Sequence, residues 1–172
     1  MIPQLSEQTV VDGLYRSYLG TLAAEGFQGD VETGFSSRLS AATDNSVYQW
    51  LPQAVIFPRS VRDVQLLCRV AARDEYSDIR LSPRGGGTGT NGQSLNGGVV
   101  VDLSRHLNVV LSFSPAERSV RVQPGVVKDQ LNDYLRPSGL FFSPELSTSN
   151  RATIGGMIST DASGQGSLVY GK

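Results

Sequence analysis

Pro83-Arg84-Gly85-Gly86-Gly87-Thr88-Gly89-Thr90-Asn91-Gly92 places five glycines in ten residues. Glycine weakens a helix or strand by roughly 0.5–1 kcal/mol relative to alanine, so such density implies a backbone that must approach something closely or take positive φ. Successive residues of this kind turn several main-chain N–H groups into one concavity, and such nests bind phosphate oxygens without side-chain charge. Thr88, Thr90 and Asn91 add short side-chain donors. A second reading is the GxGxxG spacing of a Rossmann fold, matched by Gly87, Gly89 and Gly92. That reading requires a helix to open at the loop and an acidic residue ~20 positions on. Downstream lies Val-Val-Val-Asp-Leu at 99–103, a strand pattern, and no convincing acid follows at that spacing. A third reading, a plain flexible connection, needs fewer glycines than are present.

Outward from the loop, the pattern is mixed. Residues 8–25 carry Val11, Leu14, Tyr15, Tyr18, Leu19 and Leu22 on one helical face, ended by Gly26. Residues 32–53 read as irregular. Residues 54–57 form an apolar strand stopped by Pro58. Ser60 and Asp63 match a capping box that opens a helix reaching 70–73, with Val64, Leu67, Cys68 and Ala71 inward. Strands are expected at 79–82, 98–103 and 140–142. A hairpin is expected from 108–113 and 119–123, and helices over 126–135 and 153–160. The helix at 126–135 is closed by Pro137 and Gly139. The expected class is therefore mixed α/β (α+β).

A second run of small residues spans Thr153-Ile154-Gly155-Gly156-Met157 and continues through Thr160, Asp161 and Gly164 to Gly166. A pyrophosphate or a planar ring packs against such backbone, and so does a tight helix–loop crossing; both readings stand at this point. Gly166 to Lys172 matches the opening of a Walker A loop. No strand precedes it and its variable positions are bulky, which argues against an NTPase.

Composition narrows the classes further. The 172 residues carry a net charge of −1 with no basic block, so nucleic acid is not an expected partner. Cys68 is the sole cysteine, which excludes an internal disulfide or a multi-cysteine metal site; it is read as a small core residue. No apolar run approaches the ~20 residues of a membrane helix, and residues 1–11 lack a leader pattern. A reducing, cytoplasmic setting is the default. The chain stops inside a glycine-rich loop, so a truncated protein is expected.

Taken together and in this order, the two glycine runs resemble the FAD-binding domain of the vanillyl-alcohol-oxidase/para-cresol-methylhydroxylase (PCMH) superfamily. The first run is similar to its Arg-Gly-Gly-Gly-Thr loop. Residues 152–156 with Tyr170-Gly171 are similar to its Ala-Thr-Ile-Gly-Gly…Tyr-Gly segment. Residues 40–52 and Phe57-Pro58-Arg59-Ser60 resemble the D-lactate and glycolate dehydrogenase branch, and within it the large bacterial D-2-hydroxyglutarate dehydrogenases fused to an iron–sulfur region.

The resemblance implies a two-lobed PCMH-type FAD-binding domain over 39–172, incomplete at its C-terminus, behind an N-terminal helical segment at 1–38. It implies cofactor contacts from Arg84, Gly85, Gly86, Gly87, Thr88, Gly89, Thr90, Asn91 and Gly92. Thr148, Ser149, Thr153, Ile154, Gly155, Gly156, Thr160, Asp161, Gly164 and Tyr170 complete the set. Thr88 stands where some relatives bear a flavin-linked histidine, so FAD is expected to be noncovalent. His106, the only histidine, reads as structural. The resemblance also implies a 2-hydroxy acid substrate, an electron acceptor, and an iron–sulfur cluster beyond the chain.

No catalytic residue is assigned, since the base and any metal site would lie outside these residues. Arg84 reads equally as a cation near phosphate or flavin and as a solvated loop arginine. Three classes stay open: a flavoenzyme portion, a nicotinamide-dependent Rossmann enzyme, and a noncatalytic nucleotide-binding domain. The first requires the two glycine runs to fold against each other, so that their amides grip a diphosphate.

Overall fold

The computed structural model describes residues 10–171. Residues 8 and 9 of the expected first helix, most of the segment read for a leader, and Lys172 of the Walker-like match lie outside them. The chain forms two compact units: residues 10–84 with 89–102, and residues 85–88 with 103–171. The glycine run is thus divided, with Gly85–Thr88 belonging to the second unit.

In the first unit, α1 (Gly13–Ala24) starts at Asp12, whose Oδ1 accepts from Leu14 N at 2.8 Å. It ends before Gly26, whose φ of +87° favours glycine. Tyr18, Leu19 and Leu22 form its buried face. The stretch 32–53, expected to be irregular, is more ordered. It is preceded by β1 (Asp30–Glu32) and contains α2 (Phe35–Ser40) and a bridge between Thr43 and Gln49. Six residues are too few for a helical period to stand out among polar neighbours.

β2 (Ala54–Phe57) follows, then α3 (Val61–Ala71), β3 (Leu81–Arg84) and β4 (Val99–Asp102). The sheet order is β1-β2-β4-β3, with β1 antiparallel to β2, and β4 parallel to both β2 and β3. All four β2 residues and Val99, Val100 and Val101 of β4 are buried, as central parallel strands require. The capping box at Ser60 and Asp63 forms as expected. The inward face of α3 is Asp63, Leu66, Leu67 and Val70, about one residue (~100°) from the face read in the sequence. Cys68 is therefore exposed rather than core. A polar inward residue, Asp63, caused the misreading.

β3 and β4 are parallel neighbours, a pairing that needs a crossover of about a dozen residues or more, usually helical. Here the crossover is residues 85–98, which form turns and no helix. That removes the Rossmann reading, whose phosphate site is a helix N-terminus.

In the second unit, β5 (Val110–Ser114) and β6 (Ser119–Val122) make the expected antiparallel hairpin. α4 (Lys128–Leu135) begins two residues later than expected, because Val127 forms a bridge with Thr153. Gly139, at φ +69°, ends the turn that follows. The expected strand at 140–142 is absent: Phe142 N donates to Asn132 Oδ1 at 2.8 Å and not to a strand neighbour. α5 (Ile154–Ser159) lies within the predicted 153–160, and a short α6 (Ser167–Tyr170) closes a stretch expected to lack structure. Val126, Leu131, Leu135, Ala152, Ile154 and Met157 form the core, covered by Val110, Phe113, Val120 and Val122 of the hairpin.

Candidate cofactor site

The site is built in the second unit from the ends of two chain segments. Thr153 is the N-cap of α5; it is 2% exposed and its Oγ1 accepts from Gly156 N at 3.3 Å. The segment before it is fixed by main-chain bonds from Lys128 N to Ala152 O (3.0 Å), and from Arg151 N and Ala152 N to Thr148 O (2.9 and 2.8 Å). Residues 148–153 therefore present a rigid strip of backbone.

Gly85 and Gly86 lie directly on that strip. A Cβ on Gly85 would stand 2.1 Å from Thr153 Oγ1, and one on Gly86 2.1 Å from the Arg151 carbonyl oxygen. Gly87 turns away at φ +63°. Gly85 and Gly86 of the first run thus lie against residues 151–153, where the second run begins, while Gly89–Gly92 belong to the other unit.

The amides of the two runs divide differently from the sequence reading. Ile154 N donates to Val126 O at 2.8 Å and Gly155 N to Pro124 O at 2.9 Å, while Gly156 N is taken by Thr153. The second run thus uses its amides to hold its own position. Among the described residues, the amides of Gly86, Gly87 and Thr88 have no protein acceptor, nor does the Thr88 hydroxyl. Three consecutive free donors with a positive-φ glycine among them make a nest suited to a diphosphate. These residues fit the group that the sequence resemblance implies.

The remaining site residues fall into place as follows. Thr160 Oγ1 donates back to Gly156 O at 3.0 Å, and Asp161 takes φ +47° just after α5. Ser149 Oγ donates to Asp129 Oδ2 at 3.1 Å, and Thr148 serves through its carbonyl. Gly164 packs on the Glu145 carbonyl, and the Tyr170 ring meets Phe141 edge-on with centroids 5.6 Å apart. Gly164 and Tyr170 thus belong with the strip around Phe141 and Glu145.

Arg84, Gly89, Thr90, Asn91 and Gly92 belong to the first unit. Arg84 donates to Thr43 O at 2.8 Å, Ser94 Oγ at 3.3 Å and, at the edge of hydrogen bonding, Ala41 O at 3.5 Å. Asn91 N donates to Gln93 Oε1 at 3.1 Å, and Gly92 has φ +71° with the Tyr48 ring beside it. Sequence reasoning missed Asp44 and Ser94, which join Arg84 through a 3.2 Å Ser94 Oγ to Asp44 Oδ2 bond. It also missed Arg38, fully buried with Nε donating to Pro52 O at 2.6 Å; burial pushes its pKa below the ordinary arginine value. Asp44 and Ser94 are 50 residues apart, and no local pattern announces such a pair.

Among the described residues no cluster of His, Cys, Asp or Glu is arranged to hold a metal ion. No helix is long and apolar enough to cross a membrane.

Within the second unit, Gly85–Thr88 laid on a second small-residue run, with open amides, is an arrangement suited to the phosphates of a dinucleotide. The chain belongs to the FAD binding domain family, whose profile matches residues 52–172. Among individual proteins it is similar to D-2-hydroxyglutarate dehydrogenase of Escherichia coli (strain K12), 60% identical over 172 residues, and to that of Pantoea ananatis (strain AJ13355), 61% identical. Each match covers 100% of this chain and 17% of the relative, so the chain spans about a sixth of those proteins. Its fold is shared with a solved alkyldihydroxyacetonephosphate synthase: TM-score 0.81 at 21% identity, over 100% of this chain and 34% of that one.

Proposed function

We propose that this chain is the FAD-holding part of a flavin-dependent dehydrogenase acting on a D-2-hydroxy acid, of the D-2-hydroxyglutarate or D-lactate/glycolate type. The carrying observation is the row of free amides at Gly86, Gly87 and Thr88 laid on the backbone of Arg151, Ala152 and Thr153. In this reading the first run supplies donors to the diphosphate. Thr153, Ile154, Gly155 and Gly156 supply the floor that fixes those donors, so that none must reorganise when the anion arrives. The rest of the cofactor set is Gly85, Gly89, Thr90, Asn91 and Gly92, with Thr148, Ser149, Thr160, Asp161, Gly164 and Tyr170 as outer members. When bound, FAD supplies the acceptor for the hydride leaving the α-carbon of the hydroxy acid. No residue described here is assigned to the hydroxyl proton.

The substrate class is supported by the dehydrogenases at 60% and 61% identity. Thr88, at the place of the flavin-linked histidine of some relatives, supports noncovalent binding: acid precipitation should release all flavin into the supernatant. An iron–sulfur cluster, an electron acceptor and a cytoplasmic location complete the proposal.

The test is turnover by the full-length protein, loaded with FAD, of D-2-hydroxyglutarate, D-lactate and glycolate with a dye as electron acceptor. Dye reduction driven by a D-2-hydroxy acid and not by its L-enantiomer is expected. Activity that requires added nicotinamide cofactor, or none with any of these acids, would overturn the reading.

A further inference from the structure

Both stems of the glycine-rich crossover are gripped by one segment of the first unit, residues 41–50. At the entry stem, Arg84 is the last residue of β3 and pairs in register with Asp102. Its guanidinium reaches back across more than forty residues to Thr43 O, and also to Ser94 Oγ. At the exit stem, Ser94 is 9% exposed and donates to Asp44 Oδ2. The other oxygen of Asp44, Oδ1, accepts from Ser46 N at 2.8 Å. The same segment sets two rings against exit-stem glycines. A Cβ on Gly92 would meet Tyr48 Cδ2 at 3.0 Å, and one on Gly97 would meet Trp50 Nε1 at 2.6 Å. The segment closes on itself through the Thr43–Gln49 bridge and a 2.9 Å bond from Trp50 N to Ala42 O.

We propose that residues 41–50 are a clasp that sets the spacing of the two loop stems, and that Arg84, Ser94 and Asp44 are positioning residues for the phosphate-binding amides, not ligands of the phosphate. Charge and geometry make separate demands here. A guanidinium that answers a diphosphate directly turns its fork on the phosphate oxygens, and a neighbouring carboxylate weakens it. A guanidinium that braces a loop needs its planar fork on fixed acceptors, and the carboxylate at the far end of the chain of bonds strengthens the brace. The guanidinium on Thr43 O and Ser94 Oγ, with the serine linking the arginine to an aspartate, is the second arrangement. A loop whose stems are free to spread holds its donors in many arrangements and loses affinity for an anion that needs them converged.

The inference rests on the FAD-binding reading, and the variants separate the two. Asp44→Asn removes a negative charge. If Arg84 bound phosphate, FAD affinity would hold or rise; with a clasp it falls by roughly tenfold, the worth of one charge-assisted bond. Ser94→Ala should weaken FAD similarly, and the double variant little more than either alone. Arg84→Lys loses the fork on Thr43 O and Ser94 Oγ, and hydrogen exchange of the FAD-free protein should rise at residues 85–98 as in Asp44→Asn. FAD dissociation constants are measured by flavin fluorescence on the full-length protein. Hydrogen exchange of the FAD-free protein gives a second readout: in Asp44→Asn the rise should be confined to residues 85–98, with α1 and α3 as in the parent.

A parent protein that ignores FAD while Asp44→Asn still loosens residues 85–98 would sink the cofactor reading and keep the clasp. Unchanged or tighter FAD binding in Asp44→Asn would overturn the clasp. So would exchange at 85–98 that does not move, or that rises equally throughout the protein.

Discussion

Gly86 carries one of the sharpest demands among the described residues. Its hypothetical Cβ stands 2.1 Å from a main-chain oxygen at Arg151, which no rotamer change relieves. Gly86→Ala is expected to destabilise the fold by about 1–3 kcal/mol in urea unfolding, the range for forced overpacking. It should also weaken FAD binding at least as much, because the three free amides move with it. Gly85→Ala faces Thr153 Oγ1 at 2.1 Å with Thr153 Cβ and Cγ2 at 3.2 and 3.3 Å, and this buried, β-branched N-cap has little freedom to turn aside, so the cost is expected in the same range. That these glycines matter was legible in the sequence from their density alone. Which strip they lie on was not, because Arg151 and Thr153 are more than sixty positions away.

At the scale of elements, α3 is tied down by a carboxylate that the sequence marked only as half of a capping box. Asp63 is 2% exposed and accepts from Gln28 N at 3.0 Å, Arg59 N at 2.9 Å and Ser60 N at 3.1 Å. Asp63→Ala leaves three backbone donors short of an acceptor and should lower stability by about 3 kcal/mol, against about 1 kcal/mol for Ser60→Ala, compared by urea midpoints. α1 meets α3 through Tyr18, fully buried, whose hydroxyl donates to Leu67 O at 2.9 Å. Burial, with a smaller contribution from Cys68, raises the phenol above its ordinary pKa. The fold thus favours the neutral phenol. The stability this gives is complete below the ordinary tyrosine range near ~10 and is lost as pH climbs past it. The loss of urea stability between about pH 8 and about pH 11 should be smaller in Tyr18→Phe than in the parent; equal losses would refute the assignment. Elements with a clear period or a capping signature were legible: the helices α1 and α3, strands β2 and β4, and the hairpin. The six-residue α2 was not, and residues 140–142 looked like a strand only because three apolar residues stood together.

The described chain divides into two units, and the residues of the crossover are shared between them. Residues 85–88 belong to the second unit and residues 89–98 to the first, so the chain passes between the units twice within this loop and again after Asp102. Glycine density singled out that loop in the sequence, and the resemblance of the two runs in order implied FAD, which the family match supports. The sequence did not show that the second glycine run engages its own amides with Pro124 and Val126. That engagement arises from the pairing of Val127 with Thr153, a contact between segments with no shared local pattern. The central claim is that the diphosphate bridge is what this loop holds, and calorimetric titration of the full-length protein with FAD and with riboflavin tests it most directly. FAD should bind and riboflavin, which carries the same ring without phosphate, should bind at least a hundredfold more weakly, a difference of about 2.7 kcal/mol. Riboflavin binding as tightly as FAD, or no uptake of FAD at all, would contradict the account.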